Sequence, residues 1–366
     1  MKPLTALISV LDDAGRGVVL VDREKAIVPF SIPGETWQVK PQMALIAPSA
    51  DRVAPPCPYF GRCGGCQLQH MSEGRQLAEK QRWLAATLAR VVAPEKIRPP
   101  IPSQKHWHYR RRIQLHVGPK GEVGFYAHRS REVVLVESCR IADPALNAKL
   151  PEVKRRALAA LQGPKKPASL TFELTLQEDG SVELRQDGEE RSFLQVNPEA
   201  NQSLIEVLQE ALAALRPRRV LELFAGSGNL SFPLAVPGID WVAVESHPRA
   251  VEEGSRRSEQ EGRVQWLQGQ AAKTAERLYQ AGERFDLVLL DPPRGGAEDC
   301  LPVFRKRRPP AILYVSCHPP ALKRDLQVLV KAGYAVDWVQ AIDFFPQTMN
   351  LETVVQLRVL ASDTKP

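Results

Sequence analysis

The chain has no long apolar run, no internal repeat and no segment of low complexity. Nothing in it approaches the roughly 20 apolar residues that a helix needs to cross a bilayer, and Met1-Lys2-Pro3-Leu4 lacks the charged and apolar succession of a signal peptide. With 43% hydrophobic and 25% charged residues, the 366-residue chain is too mixed to be disordered and long enough for two or three domains. We therefore expect a globular, cytoplasmic protein.

Cysteine is scarce, with six residues in all. In the reducing cytoplasm such thiols are metal ligands or nucleophiles more often than disulfide partners. Cys57, Cys63 and Cys66 form a Cys-x5-Cys-x2-Cys run, and Cys139 lies well downstream. The set suits zinc or an iron-sulfur centre, and the spacing alone does not separate the two. Cys300 has no partner nearby in the sequence and is interpreted as structural.

Three regions follow one another along the chain. Residues 1–48 alternate apolar and polar positions around turn residues, which predicts short antiparallel strands that close into a small β-barrel. Residues 49–195 contain the cysteine run, a helix that begins after Ser72, and strands rich in basic residues, which predicts an α+β domain. Residues 196–366 alternate strands and helices, which predicts an α/β, Rossmann-like domain with a mostly parallel sheet. Its strands are expected at 220–224, 241–245, 285–290, 311–317, 335–345 and 353–360.

A glycine loop opens the third region. The segment Leu221–Ser231, LELFAGSGNLS, follows a predicted strand and begins a helix, so Gly226 and Gly228 allow backbone amides to approach a ligand. Glu245 ends the next strand about 17 residues later, near the offset at which a carboxylate accepts ribose hydroxyls. An adenosine-type ligand is indicated, either NAD or S-adenosylmethionine. The turn 291–294, Asp-Pro-Pro-Arg, favours S-adenosylmethionine, because such a turn lines the methyl-donor side of many nucleic-acid methyltransferases.

Cys317 and Glu352 have the chemistry for carbon methylation. Cys317 lies at the carboxyl end of a predicted strand, the edge at which open α/β sheets bind their ligands, and Glu352 begins the last strand. Addition of a thiolate to C6 of a uracil turns the ring into an enolate whose C5 can attack a sulfonium methyl group. A carboxylate must then remove the C5 proton so that the cysteine can leave. The target base has to be extruded from its stack to meet both groups.

On these motifs the chain resembles, from about residue 4 to residue 360, the S-adenosylmethionine-dependent RNA uracil-C5 methyltransferases, and more closely their iron-sulfur branch acting on 23S ribosomal RNA. The resemblance implies a TRAM-like N-terminal barrel, a central iron-sulfur and RNA-binding domain, and a C-terminal methyltransferase domain. Cys317 would be the nucleophile and Glu352 the base. A 4Fe-4S cluster would be held by Cys57, Cys63, Cys66 and Cys139. The methyl donor would contact Gln195, Phe224, Gly226, Gly228, Asn229, Glu245, Gln270 and Asp291.

The chain departs from the family pattern at several positions. Only about ten residues lie between Pro33-Gly34 and Ala47, so the barrel is expected to be shortened. His318 follows the nucleophile where the family often has Asn, and Asn350 replaces the usual His before Glu352. Gln270 stands where Asn or Asp commonly approaches the adenine. None of these changes removes a reacting group.

A net charge of +7 favours an anionic partner. The basic patch, residues 106–112 (HWHYRRR), interleaves cations for phosphates with aromatic rings for unstacked bases. The residues expected to bind structured RNA are His106, His108, Tyr109, Arg110, Arg111, Arg112, Arg129 and Arg131.

Three other functions remain open from the sequence. One is 5-methyluridine formation in the transfer-RNA T-loop. Another is methylation of an exocyclic amine, which the Asp-Pro-Pro turn would suit and which needs no nucleophilic cysteine. A third is a non-catalytic iron-sulfur RNA-binding protein. No membrane or oligomeric partner is implied.

Overall fold

The computed structural model describes residues 4–21, 23–162, 169–186, 195–261 and 264–360. The described part of the N-terminal segment, residues 1–48, contains six short strands: β1 (Leu4–Leu7), β2 (Val10–Leu11), β3 (Gly17–Val21), β4 (Glu24–Val28), β5 (Thr36–Lys40) and β6 (Ala44–Ala47). They form two antiparallel sheets, ordered β1-β5-β6 and β2-β3-β4. Side chains alternate along β3, and Val19 and Val21 share one small core with Ile8, Val28 and Val39. The stretch after Pro33-Gly34 therefore contains two strands, β5 and β6.

The central segment is built around a five-stranded antiparallel sheet. After the cysteine run come α1 (Glu73–Leu88), a 3-10 turn (Pro94–Lys96), β7 (Arg112–Val117), β8 (Val123–Tyr126), β9 (Val133–Leu135), α2 (Pro144–Ala148), α3 (Leu150–Gln162), β10 (Thr171–Leu176) and β11 (Val182–Gln186). The sheet order is β11-β10-β7-β8-β9. Leu150, Val153 and Ala157 of α3 pack on Leu115 and Phe172 of the sheet. This core is separate from the one that carries the glycine loop.

The C-terminal segment is a seven-stranded mixed sheet with helices on both faces. Its elements are α4 (Pro198–Leu215), β12 (Arg219–Leu223), α5 (Ser231–Leu234), β13 (Asp240–Glu245), α6 (Pro248–Glu261), β14 (Val264–Gln268), α7 (Ala271–Gln280), β15 (Leu287–Leu290), α8 (Leu301–Arg307), β16 (Ala311–Ser316), α9 (Pro319–Lys331), β17 (Tyr334–Ile342) and β18 (Glu352–Val359). The strand order is β14-β13-β12-β15-β16-β18-β17. Every pairing is parallel except the two made by β18. The predicted Rossmann-like, mostly parallel sheet is confirmed, with β14 added at its edge.

Part of the central segment is attached to this sheet. Leu84 and Leu88 of α1 are fully buried in the core that covers one face of the sheet. Beyond α1, Ile97 and Ile101 form parallel bridges with Val339 and Ile342 of β17. The segment between α1 and β7 therefore pairs alongside the edge strand of the sheet. No helix within the described residues is both long and apolar enough to span a membrane.

Candidate active site

The candidate active site lies at the carboxyl edge of the parallel strands. From β12 the chain moves to β13 and β14 on one side and later to β15 and β16 on the other, so β12 and β15 flank the topological switch point. Ligands of open α/β sheets bind at such a point. Phe224 follows β12 and Asp291 follows β15, and Leu223 and Leu290, which precede them, are paired.

The donor loop, residues 224–230, turns sharply at this point. Phe224, Gly226 and Gly228 all have positive φ angles, of 66°, 57° and 98°. A Cβ on Gly228 would lie 2.3 Å from the ring of Phe232, whereas a Cβ on Gly226 would meet nothing within 4 Å. Gly228 is therefore required by packing, and Gly226 by its backbone angle and by the open space that it borders.

Glu245, at the end of β13, is joined to the donor loop. Its Oε2 accepts a hydrogen bond from the Gly226 amide at 3.0 Å, and its Oε1 accepts from the amides of Ser246 and His247 at 2.7 and 2.8 Å. Each carboxylate oxygen can accept about two hydrogen bonds. Oε2 thus keeps capacity for a ligand hydroxyl while the loop fixes its position.

The remaining predicted donor residues surround this loop. Asn229 forms a reciprocal amide pair with Asn201 of α4, at 2.9 and 3.0 Å, which ties the loop to that helix. Gln270 is exposed at the start of α7, and Gln195 is half-buried just before α4. Asn229 is therefore engaged with the protein, whereas Gln270 is turned to solvent.

Glu222 is a buried carboxyl that the sequence reasoning did not single out. Its side chain is 1% exposed, and its Oε2 accepts hydrogen bonds from Ser231 Oγ at 2.5 Å and Trp241 Nε1 at 2.7 Å. Burial raises the pKa of Glu222 to about 7, and the nearby carboxyls of Asp291 and Glu245 contribute in the same direction. A Glu inside an apolar strand before the glycine loop was the signal available in the sequence.

The reversed strand β18 places Glu352 beside Cys317. Ser316, the last residue of β16, is paired with Thr353. Cys317 follows Ser316 and Glu352 precedes Thr353, so the two residues lie opposite one another across antiparallel neighbours. Directly opposed residues of such strands have Cα atoms about 4.5–5.5 Å apart.

Burial and neighbouring charges shift the pKa values of Cys317, Asp291 and Glu352. The pKa of Cys317 is raised to about 11, mainly by burial and then by Glu352, while Arg294 acts in the lowering direction. Burial also raises the pKa of Asp291 to about 7, and it raises the pKa of Glu352 well above its ordinary value, with Asp291 adding to the effect. The site therefore combines a thiol, two carboxyls and one cation close together.

The four predicted ligand cysteines line one cavity, together with Gln69, Arg110 and several apolar side chains. Burial raises the pKa of Cys63, Cys66 and Cys139, and repulsion between the thiolates acts in the same direction. Within the described ranges, no group of three or more His, Cys, Asp or Glu side chains has the arrangement of a metal-ion site. Cys300 is buried in the apolar core of the sheet, as a structural cysteine would be.

The basic patch is divided by the structure. Tyr109 is 2% exposed, and its hydroxyl donates to Pro346 O at 3.0 Å, so its predicted role in stacking on RNA is wrong: neither ring face is available. Arg110 lines the cysteine cavity, and Arg111 donates to Leu176 O. Arg112 Nε lies 3.5 Å from Glu173 Oε2.

The other predicted RNA contacts lie at or near the surface. His108, Arg129 and Arg131 are exposed. His106 is half-buried, with its Nε2 3.3 Å from Glu73.

A glycine loop at the switch point, with a fixed carboxylate at the end of the next strand, is the arrangement that binds an adenosine-type methyl donor. The sheet order and its single reversed strand fit the same class, the S-adenosylmethionine-dependent methyltransferases. Two protein-family models match this part of the sequence. The family described as tRNA (Uracil-5-)-methyltransferase matches residues 276–359, and the family described as Conserved hypothetical protein 95 matches residues 198–306.

Relatives cover nearly the whole chain. The 23S rRNA (uracil(1939)-C(5))-methyltransferase RlmD of Dichelobacter nodosus is 31% identical, over 94% of this chain and 96% of its own length. The RlmD of Salmonella typhimurium is also 31% identical, over 96% of this chain and 95% of its own length. Among solved structures, the Pyrococcus abyssi tRNA (uracil-54, C5)-methyltransferase in complex with S-adenosyl-L-homocysteine has a TM-score of 0.71 at 22% identity, covering 97% of this chain and 100% of that one. The chain belongs to the family of S-adenosylmethionine-dependent RNA uracil-C5 methyltransferases.

Proposed function

We propose that the enzyme transfers the methyl group of S-adenosylmethionine to C5 of a uridine in 23S ribosomal RNA through a covalent adduct with Cys317. The observation that carries this proposal is the position of Cys317 opposite Glu352, at the edge of the sheet that holds the donor loop. The relatives that cover nearly the whole chain are named for methylation of uracil in 23S rRNA, which supports ribosomal RNA as the substrate.

The reaction proceeds in three steps. The Cys317 thiolate forms a bond to C6 of the uracil, and the C5–C6 electron pair moves into the ring to give an enolate. C5 then attacks the methyl group, and the electrons of the breaking carbon–sulfur bond stay on the donor, which leaves as S-adenosylhomocysteine. Glu352 finally takes the C5 proton, the C5=C6 double bond re-forms, and the thiolate leaves.

The proton on Cys317 has to leave before the first step. With a pKa near 11, the thiol is mostly protonated at neutral pH. Arg294 is the cation that acts on Cys317, and it stabilises the thiolate once formed. Asp291, with a pKa near 7, can accept the proton from the Cys317 thiol at neutral pH.

The methyl donor would occupy the space in front of Gly226. Glu245 Oε2 would accept a ribose hydroxyl, and Phe224, Gly228 and Asp291 would border the donor at the switch point. Gln195, Asn229 and Gln270 complete the proposed set. Because Asn229 is held by Asn201, we expect it to contribute chiefly by fixing the loop.

The chemistry of the donor set around the cysteine cavity fits a 4Fe-4S cluster. Four thiols face one largely apolar space, and polar hydrogens are directed at three of them: Gly65 at Cys63, Gln69 at Cys66, and Ile141 and Ala142 at Cys139. Hydrogen bonds to cysteine sulfur are a feature of iron-sulfur sites. A bound cluster would supply the positive charge that keeps these thiols ionised.

RNA would be bound by the exposed cations of the central segment and by the TRAM-like N-terminal strands. We retain His106, His108, Arg129 and Arg131 as surface contacts. The inward positions of Arg110, Arg111 and Arg112 favour a supporting role, in the cysteine cavity and the sheet.

Incubation of unmodified ribosomal and transfer RNA with the enzyme and labelled S-adenosylmethionine, followed by mass mapping, tests the proposal. We expect 5-methyluridine at particular 23S positions and none with Cys317→Ala. Label in a T-loop uridine would move the substrate to transfer RNA. Label on an exocyclic amine, or full activity of Cys317→Ala, would refute the adduct mechanism, and RNA binding without transfer would identify a non-catalytic protein.

A further inference from the structure

The segment that leads to Glu352 is fixed by residues from distant parts of the chain. This base loop, residues 343–351, joins β17 to β18. Lys80 Nζ lies 2.6 Å from Asp343 Oδ1 and 2.9 Å from Phe345 O. Asn197 Nδ2 donates to Phe344 O at 3.0 Å, and Tyr109 donates to Pro346 O at the same distance. The position of the loop is therefore set from outside the sheet.

Gln347 receives the densest set of contacts in the base loop. Its side chain is 1% exposed, and its φ angle is 70°, in the left-handed region that residues other than glycine and asparagine rarely adopt. Gln76 of α1 accepts from the Gln347 amide at 2.9 Å and donates to Gln347 Oε1 at 3.0 Å. One side chain thus binds both the backbone and the side chain of Gln347, and these bonds offset the unfavourable backbone angle.

The cysteine loop, residues 57–70, holds the opposite side of Gln347. The amides of Gln67 and Leu68 both donate to Gln347 O, at 2.9 and 3.0 Å. Gln67 directly follows Cys66. Leu68 also packs with Met349 of the base loop in a small buried cluster, and a Cβ on Gly15 of the N-terminal segment would lie 2.9 Å from Met349. Three parts of the chain therefore meet at the base loop.

We infer that Gln76 is a positioning residue for the base: through Gln347 it fixes the path of the chain into β18 and with it the position of Glu352. Glu352 begins β18 five residues after Gln347. Cys317 has a support that does not pass through the base loop, because β16, which precedes it, is paired with β15 as well as with β18. Loss of Gln76 moves the base relative to the nucleophile. This inference rests on the proposed role of Glu352.

The order of the chemical steps makes this displacement measurable. Attack by Cys317 and methyl transfer precede removal of the C5 proton, so a misplaced Glu352 slows only the last step. The methylated RNA then remains bonded to Cys317. A variant that merely lowers the folded fraction reduces all steps together and accumulates no adduct.

The test uses Gln76→Met, which keeps the length of the side chain and removes its hydrogen bonds. With purified full-length enzyme and an unmodified uridine RNA, we measure methyl transfer in a single turnover, steady-state turnover, and RNA–protein adduct by denaturing gel and mass spectrometry. We expect methyl transfer within about threefold of wild type, turnover reduced about tenfold or more, and accumulation of methylated adduct. Gln76→Glu still accepts from the Gln347 amide but loses the donor to Gln347 Oε1 and Met71 O, so it is expected to recover only part of the turnover.

Two controls separate the outcomes. Val153→Ala changes a buried residue of α3, in a core that contains no residue of the base loop, so it should lower stability without forming adduct. Equal losses in transfer and turnover for Gln76→Met, with no adduct, would overturn the inference. Glu352→Gln is the reference. If it accumulates adduct and Gln76→Met does not, only the inference fails, and if Glu352→Gln accumulates none, the proposed role of the base fails as well.

Discussion

The ion pair between Lys80 and Asp343 should respond very differently to single and double substitution. The two side chains are 2% and 4% exposed, and their charged atoms are 2.6 Å apart. At an effective dielectric constant near 20, this attraction is about 6 kcal/mol. Removing each ion from water costs several kcal/mol. The pair as a whole therefore changes the free energy of unfolding little, whereas either charge left alone would destabilise the fold.

Lys80→Met leaves the Asp343 carboxylate and Phe345 O buried without their partner. We expect a loss of about 3–5 kcal/mol in the free energy of unfolding. Lys80→Met combined with Asp343→Leu removes both charges, so its stability should return to within about 1 kcal/mol of wild type, apart from the unpaired carbonyl. Urea unfolding at pH 7.5, with the slope against urea compared between variants, measures both values.

Asp343→Asn provides the matched control, because it leaves the ammonium alone. Burial lowers the pKa of Lys80, so folding without the carboxylate favours the neutral amine. The unfolded state then binds more protons, and the stability of Asp343→Asn should rise as the pH increases towards 10. A cost below about 1 kcal/mol for Lys80→Met would refute the reasoning. So would a double variant as unstable as the single one, since packing and not charge would then explain the loss.

Four further outcomes are expected. Folding raises the pKa of Glu222 from 4.5 to about 7, so the stability that this carboxyl contributes is complete below pH 4.5 and is lost as the pH rises through 7. Glu222→Gln should therefore be about 3 kcal/mol more stable than wild type at pH 8 and similar to it at pH 4.5. Denaturation at both pH values measures the difference. Gly226→Ala and Gly228→Ala should both lower the melting temperature, because both residues have positive φ, and Gly228→Ala should lower it more because its Cβ would also collide with Phe232. Gly226→Ala should in addition weaken binding of S-adenosylhomocysteine about tenfold or more, as titration calorimetry and thermal unfolding would show. Single-turnover methyl transfer should rise about tenfold per pH unit below pH 7 and level off above it, because Asp291 has to be ionised to accept the Cys317 proton, and a profile that is flat below pH 7 would contradict that role. Asp291→Asn should reduce the preference for S-adenosylmethionine over S-adenosylhomocysteine about tenfold at pH 8, and unchanged ratios of the two dissociation constants would exclude an electrostatic role for this carboxyl.

The sequence located the parts of the site that lie at the ends of buried strands. β12, β15 and β16 are fully apolar in their interiors apart from Glu222, so their ends and the polar residues that follow could be recognised. β14 was missed because it is a half-exposed edge strand with a weak pattern. The proximity of Cys317 to Glu352 depends on the reversal of β18, which periodicity does not reveal.

Long-range packing produced the other differences. Gln76, Glu79 and Lys80 have the composition of a solvated helix face, yet all three are buried, because α1 lies between the cysteine loop and the base loop. The partner of Gln76 is 271 residues away along the chain. Tyr109 was misread for the same reason: its neighbours in sequence are cations, but its contact in space is Pro346 of the base loop.

The carboxyl groups of the active site favour binding of the methyl donor over binding of its product. Glu222, Glu245, Asp291 and Glu352 gather around one edge of the sheet. Burial raises the pKa of Glu222, Asp291 and Glu352, and repulsion by Asp291 adds to this effect for Glu222 and Glu352. Such a group attracts a cation, and the methyl donor carries one positive charge on sulfur until transfer makes that sulfur neutral. The attraction is thus present for the substrate and absent for S-adenosylhomocysteine, so the same carboxyls that help to bind the donor do not retain the product. In the proposed mechanism Glu352 then resolves the covalent adduct, and its carboxyl has to be ionised to accept the C5 proton.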